Sequence, residues 1–104
     1  MAQVLRSPRA KNDIKRVLQY TLKKWGEGQA WEYSALIEEA LDTVGVDPAR
    51  GKSVTAGPAG VLRFHIRQTG RDARHVLFYR IGVDGTVEII RLLHDSMDFE
   101  RHLP

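Results

Sequence analysis

Cysteine is missing altogether from these 104 residues. That excludes disulfide staples and thiolate metal sites, and it fits a reducing compartment. Long apolar runs are also missing. No stretch approaches the length that crosses a bilayer, and Met1-Ala2-Gln3-Val4-Leu5-Arg6 lacks the charged, apolar and cleavable succession of a signal peptide. A cytoplasmic protein without a membrane partner is expected. No internal repeat or low-complexity tract interrupts the chain, and its length allows one domain, 1–104, with a real core but little to spare. Nor does any motif specify a phosphate loop, a metal site or a nucleophilic triad. All four histidines lie at or beyond position 65, and none shares a helix with a second ligand at the i, i+4 spacing of a zinc site. Neither a metal nor another cofactor is expected.

What is present is charge, unevenly distributed. The net +3 divides into a first segment, residues 1–25, carrying seven Lys/Arg against Asp13 alone. Residues 26–60 carry two basic against six acidic side chains, and the remainder seven against six. Such segregation suits either an acidic partner at one end or two helices whose solvated faces attract each other.

The chain is organised around residues 61–93. Three apolar runs there are joined by Gln68-Thr69-Gly70-Arg71-Asp72 and Gly82-Val83-Asp84-Gly85, whose glycines and Asp-Gly chemistry suit tight hairpins. This predicts a three-stranded antiparallel meander. Leu62, Phe64 and Ile66 alternate with Arg63, His65 and Arg67, the period of a sheet with one buried face. The second and third runs (Val76 to Tyr79, and Ile89, Ile90, Leu92 and Leu93) are apolar on both faces. One face can be covered by the chain's own helices. The other, crossed by Arg63, Arg67, Arg80 and Arg91, needs loops, the C-terminal tail or an external partner over it.

Before the meander, Gln3–Arg6 is a short possible strand. Ser7-Pro8 reads as an N-cap followed by proline at the first helical position. Ile14, Val17, Leu18, Leu22 and Trp25 form one helical stripe that ends at Gly26. A second helix from near Gly28 to Gly45 carries Ala30, Tyr33, Ile37, Ala40, Leu41 and Val44, and a Gly-Glu-Gly turn makes the pair an antiparallel hairpin. Trp25, Trp31 and Tyr33 are expected to staple its turn. Residues 45–60 read as a long loop, and the tail after Leu93 as a short helix capped by Asp95 or Ser96 and anchored by Met97, Phe99 and Leu103. The fold class is therefore α+β.

Chemistry-bearing residues are few. Arg63 and Arg91 lie on strands that can bring them together with Arg80 and Lys52 as a basic patch for phosphate or carboxylate groups. His94 follows Arg91 at the end of the last strand, either as a general base or as a hydrogen-bonded corner beside Asp95.

The ordered set Ser7-Pro8-Arg9-Ala10, Asp13-Ile14, Tyr20, Trp25-Gly26, Gln29-Ala30, Tyr33, Pro48, Gly51, Leu62-Arg63, Phe78-Tyr79-Arg80, Ile89 to His94, Met97-Asp98 and Arg101-His102-Leu103 covers nearly the whole chain. It resembles the RelE/ParE superfamily of toxins from bacterial type II toxin-antitoxin modules, and is closer to ParE. The resemblance implies a toxin silenced in a hetero-oligomer by a cognate antitoxin whose C-terminal segment folds over it. That partner is expected to meet Arg63, Arg67, Arg80 and Arg91 together with Phe78, Ile89 and Leu93. ParE-like members inhibit DNA gyrase and are not known as nucleases. RelE-like members cut messenger RNA on the ribosome with basic residues and commonly a C-terminal tyrosine or histidine. Here no tyrosine follows Tyr79, so a nuclease would rest on Arg63, Arg91 and His94. The expected function is gyrase inhibition; a metal-independent endoribonuclease and a degenerate antitoxin-binding module are the alternatives.

Overall fold

The computed structural model describes residues 2–54, 59–68, 71–97 and 99–103, leaving aside the side chains of residues 67, 68, 71–73 and 100. Ser7 starts the first helix, α1 (Pro8–Trp25). Its Oγ accepts the Ala10 N–H at 3.0 Å and donates to Ile90 O at 2.7 Å, so one hydroxyl caps the helix and ties it to the last strand. Gly26, at φ +91°, ends α1, and its N–H donates to Leu22 O. The second helix, α2 (Glu27–Val46), begins at the next residue. The expected three-residue turn therefore shrinks to Gly26 alone, at a backbone angle that glycine adopts without strain.

Five strands form one sheet in the order β1-β5-β4-β3-β2: β1 (Val4–Arg6), β2 (Lys52–Ser53), β3 (Leu62–Gln68), β4 (Arg71–Ile81) and β5 (Val87–His94). The last three are the expected meander. At the β4–β5 turn Gly85 takes φ +84° and the Asp84 carboxylate accepts the Thr86 N–H. The turn at Thr69-Gly70 lies outside the described residues. The N-terminal strand pairs parallel to β5, and β2 pairs with β3 inside the segment expected as loop. Two residues are too few to show a strand's alternation.

Sheet alternation sends apolar side chains both ways. Ile66, Leu77, Tyr79, Val87, Ile89 and Leu92 pack beneath the hairpin against Ile37, Leu41 and Val44. Val61, Val76, Phe78, Ile90 and Leu93 face the other way and meet Met97, Phe99 and Leu103 of the tail, which forms one helical turn, α3 (Phe99–His102). A bulge lets Phe78 of β4 oppose the longer stretch between Ile89 and Leu92 of β5. Each such buried side chain stabilises the fold by about 1.5–3 kcal/mol. The hairpin overhangs the sheet: the buried residues of both helices lie away from Gly26, whereas Trp25 and Trp31 are 64% and 74% exposed. Neither tryptophan staples the core.

Tyr79 holds the segment between α2 and β2. Its buried phenol donates to Pro48 O at 2.7 Å and accepts the Gly51 N–H at 2.9 Å, pinning the 3-10 turn Pro48–Arg50. A Cβ at Gly51 would collide with Tyr79 Oη and lie 3.0 Å from Arg63 O. Gly51→Ala should therefore cost about 1–3 kcal/mol by overpacking, and Tyr79→Phe about 1–3 kcal/mol by orphaning its two partners. In chemical denaturation the double variant should lose less than the sum, since removing the hydroxyl opens room for the methyl.

Candidate functional site

The two faces of the sheet place the predicted site residues very differently. Arg91 does not project as a free cation. Its Nε and Nη2 donate to Asp13 at 2.7 and 2.9 Å, its Nη1 donates to His102 O at 3.1 Å, and Asp13 also accepts the Leu92 N–H. The two side chains are only 15% and 9% exposed. The bidentate pair raises the Arg91 pKa further above its ordinary value. Arg80, on the tail-bearing face, meets Glu88 directly across the β4–β5 ladder at 3.0 Å. Arg67 belongs to β3, and its side chain lies outside the described residues.

Phe78, Ile89 and Leu93, expected to meet the partner, are instead buried within the chain itself. Phe78 and Leu93 lie beneath the tail, with the Phe78 and Phe99 rings 4.6 Å apart, and Ile89 faces the hairpin. Alternation explains the split, and the chain's own last residues supply the cover that a partner was expected to give.

Arg63 remains exposed. It pairs in register with Lys52 of the unforeseen strand β2, and together with Arg50, His65, Phe64 and Val76 it bounds a concavity of about 340 Å³. This is the basic patch foreseen for Arg63 and Lys52, now without Arg80 and Arg91. Arg50 and His65 join it because the Pro48–Arg50 turn and the β3 alternation carry them there, a placement no local motif announces.

His94 belongs to a separate corner, where α2, β4 and β5 meet. Its Nδ1 accepts the Ser96 N–H and lies 2.7 Å from Ser96 Oγ, and its ring abuts His75 edge to face at 5.3 Å. His75 Nδ1 lies 2.5 Å from Tyr33 Oη, and Arg74 pairs with Asp95. Along β4, His94 pairs opposite His75 while Arg63 and Arg91 oppose Phe78. That separation is three residues, roughly 10 Å of strand. The base and the cations of a nuclease are therefore not brought together.

A third feature lies on the overhanging part of the hairpin. Ile14, Leu18, Leu22, Ala30 and Trp31 line an apolar groove of about 530 Å³ between α1 and α2, with Lys11 and Lys15 along its α1 rim and Glu27 on the α2 side. Its signal in the sequence is the helical stripe itself, whose Ile14, Leu18 and Leu22 line the groove.

The architecture recurs in a solved chain described as "Chromosomal ParDE TA system from P. aeruginosa", which matches at TM-score 0.75 with 14% identity over 90% of this chain and 96% of that one. A helical hairpin packed on a five-stranded sheet that is antiparallel except for β1 is the fold class the two chains share. Within that class the chain belongs to the ParE family: the family model described as ParE toxin of type II toxin-antitoxin system, parDE, matches residues 4–99. Curated relatives agree. A Caulobacter vibrioides protein named Toxin ParE1 is 36% identical over 97 residues, covering 93% of each chain. A Mycobacterium tuberculosis protein, also named Toxin ParE1, is 28% identical over 102 residues, covering 98% of each.

Three outcomes follow from this geometry. Removing either partner of the buried pair, by Asp13→Ala or Arg91→Ala, should cost about 3–5 kcal/mol because the remaining charge is stranded. A double-mutant cycle in denaturant should return a strong coupling between them. Burial and then the neighbouring His94 lower the His75 pKa to about 4, whereas the unfolded imidazole protonates near its ordinary 6.5. The unfolded state therefore takes the extra proton first, and the stability contribution of His75 should fall as pH drops from about 6.5 to about 4. At the alkaline end, burial followed by Asp95 pushes Tyr33 up to about 12 from 10.0, so its contribution should fall as pH rises between those values. Thermal unfolding of wild type and His75→Gln, compared across the acid range, should show a steeper loss for wild type.

Proposed function

We propose that this ParE-family toxin inhibits DNA gyrase as a binding protein, and that its cognate antitoxin silences it by laying an amphipathic helix in the hairpin groove. The observation that carries the first half is the Asp13–Arg91 pair. It withdraws the cation that a ribonuclease would use to stabilise a phosphorane, and His94 stands apart from Arg63, held by Ser96. General acid-base catalysis needs those groups around one reacting phosphate. Binding makes no such demand, and membership in the ParE branch favours it.

The second half rests on the groove. A toxin of a toxin-antitoxin pair requires a surface for its partner. The long, mainly apolar trough between α1 and α2 suits the apolar stripe of a helix. Lys11 and Lys15 on its rim favour a helix with an acidic flank, which speeds association more than it deepens affinity. The outer face of the meander is already occupied by the tail. The antitoxin's place is accordingly the hairpin, and the working assembly is a hetero-oligomer. No described helix is long and apolar enough to cross a membrane, and a cytoplasmic site of action accords with a gyrase target.

The purified toxin should lower gyrase-catalysed supercoiling, and His94→Gln should keep most of the toxicity. Ribosome-dependent mRNA cuts by wild type that vanish in His94→Gln would establish the nuclease instead. Trp31→Glu, at a 74% exposed position, should weaken antitoxin binding by about 30-fold or more, the loss of a buried aromatic anchor at about 2 kcal/mol, while leaving the circular dichroism spectrum unchanged.

A further inference from the structure

The basic concavity shares no lining residue with the hairpin groove. We propose that Arg50, Lys52 and Arg63 form a site for the phosphodiester groups of duplex DNA. The proposal deepens the gyrase reading and rests on it for the source of the DNA.

Three observations carry it. First, Lys52 and Arg63 are register partners across β2 and β3. Like charges placed directly opposite destabilise a ladder, so the arrangement works against the fold unless an anion lies between them. Second, the neutralisation seen elsewhere is missing. Arg6, Arg74, Arg80 and Arg91 each meet a carboxylate, whereas Arg50, Lys52 and Arg63 form no ion pair with a described residue. No acid is among the described residues that line the concavity. Third, the site is held in shape. The Tyr79 phenol bonds Pro48 O and the Gly51 N–H, so the turn that presents Arg50 and Lys52 is fixed from inside the core.

The ligand's charge density decides its class. One carboxylate on a partner helix neutralises one cation, but here Lys52 and Arg63 come from adjacent strands spaced about 4.8 Å apart and Arg50 joins them from the preceding turn. A DNA strand brings a phosphate about every 3.4 Å of axis, and guanidinium forks match phosphate oxygens in pairs. The contacts carry no base information, so binding is indifferent to sequence.

The test uses the full chain and a fluorescently labelled duplex, with anisotropy read between roughly 50 and 200 mM salt. Three phosphate contacts predict a log–log slope of about −2.7, an affinity loss of about 40-fold over that range. Lys52→Gln and Arg63→Gln should each flatten the slope by about 0.9. Arg16→Gln, an exposed cation on α1, should leave it unchanged. Salt-independent binding, or equal slopes in all variants, would overturn the proposal, as would an acidic antitoxin peptide that needs Lys52 and Arg63 while the duplex does not bind. Displacement of the duplex by millimolar inorganic phosphate would reassign the site to a small anion, and failure to displace it supports the polymer. Supercoiling is scored separately on the same proteins. DNA binding without gyrase inhibition leaves the site standing and fails the gyrase reading, and the converse fails the site alone.

Discussion

A carboxylate on the first helix meeting a guanidinium on the last strand is the contact on which the remaining structure depends. Asp13 accepts from Arg91 twice and from the Leu92 backbone once, and Arg91 reaches on to the His102 carbonyl. Helix, sheet and tail are joined through four hydrogen bonds around one pair of charges. The net stability of such a buried pair is modest, because both ions are desolvated, but an arrangement that separated them would strand a buried charge. The pair therefore selects one arrangement of α1 over β5. It also decides chemistry, since an arginine used in this way is no longer available to a phosphate.

With that cation internal, the surface separates into two working regions. The overhanging hairpin leaves an apolar trough with a lysine rim, and the β2–β3 edge of the sheet gathers Arg50, Lys52 and Arg63 with no acid among the described lining residues. The segregation of charge along the chain has a matching result in space. Basic α1 and acidic α2 lie side by side, yet Arg6 of β1 is the described first-segment cation that bonds an α2 acid, Glu38. Most of the basic charge of α1 stays in solvent, where it can act on a partner.

How much of this was legible follows from the range of each interaction. The helical stripes, the Ser7-Pro8 cap, Gly26 and the three strands are local patterns, and they appear close to where periodicity put them. The short turn between the helices and the change from helical to period-two spacing implied a hairpin on one face of the sheet, and the structural match shares that fold. The site was less visible. Arg63 and Lys52 do converge, but Arg91 was misread because its partner lies 78 residues away in sequence. Asp13 did carry a signal, as the single acid among the first 25 residues. The tail's role over Phe78 and Leu93 was one of two open possibilities, since apolar residues mark a face that needs cover without naming the cover. Strand β2 escaped because two residues have no period.

The parallel pairing of β1 with β5 joins the beginning of the chain to residues 87–89. Ser7 waits for Ile90 and Asp13 for Arg91, separations of 83 and 78 residues. A ribosome delivers the N-terminal half first, and a short helical hairpin without its sheet is marginal in water. Until the final strand emerges, β1 has no neighbour and Asp13 no cation. A product truncated before β5 lacks both, along with the strand that carries Ile89 and Leu92 under the hairpin. The fold thus keeps its own order: the first strand and the first helix cannot be seated until residues 87–92 have been made.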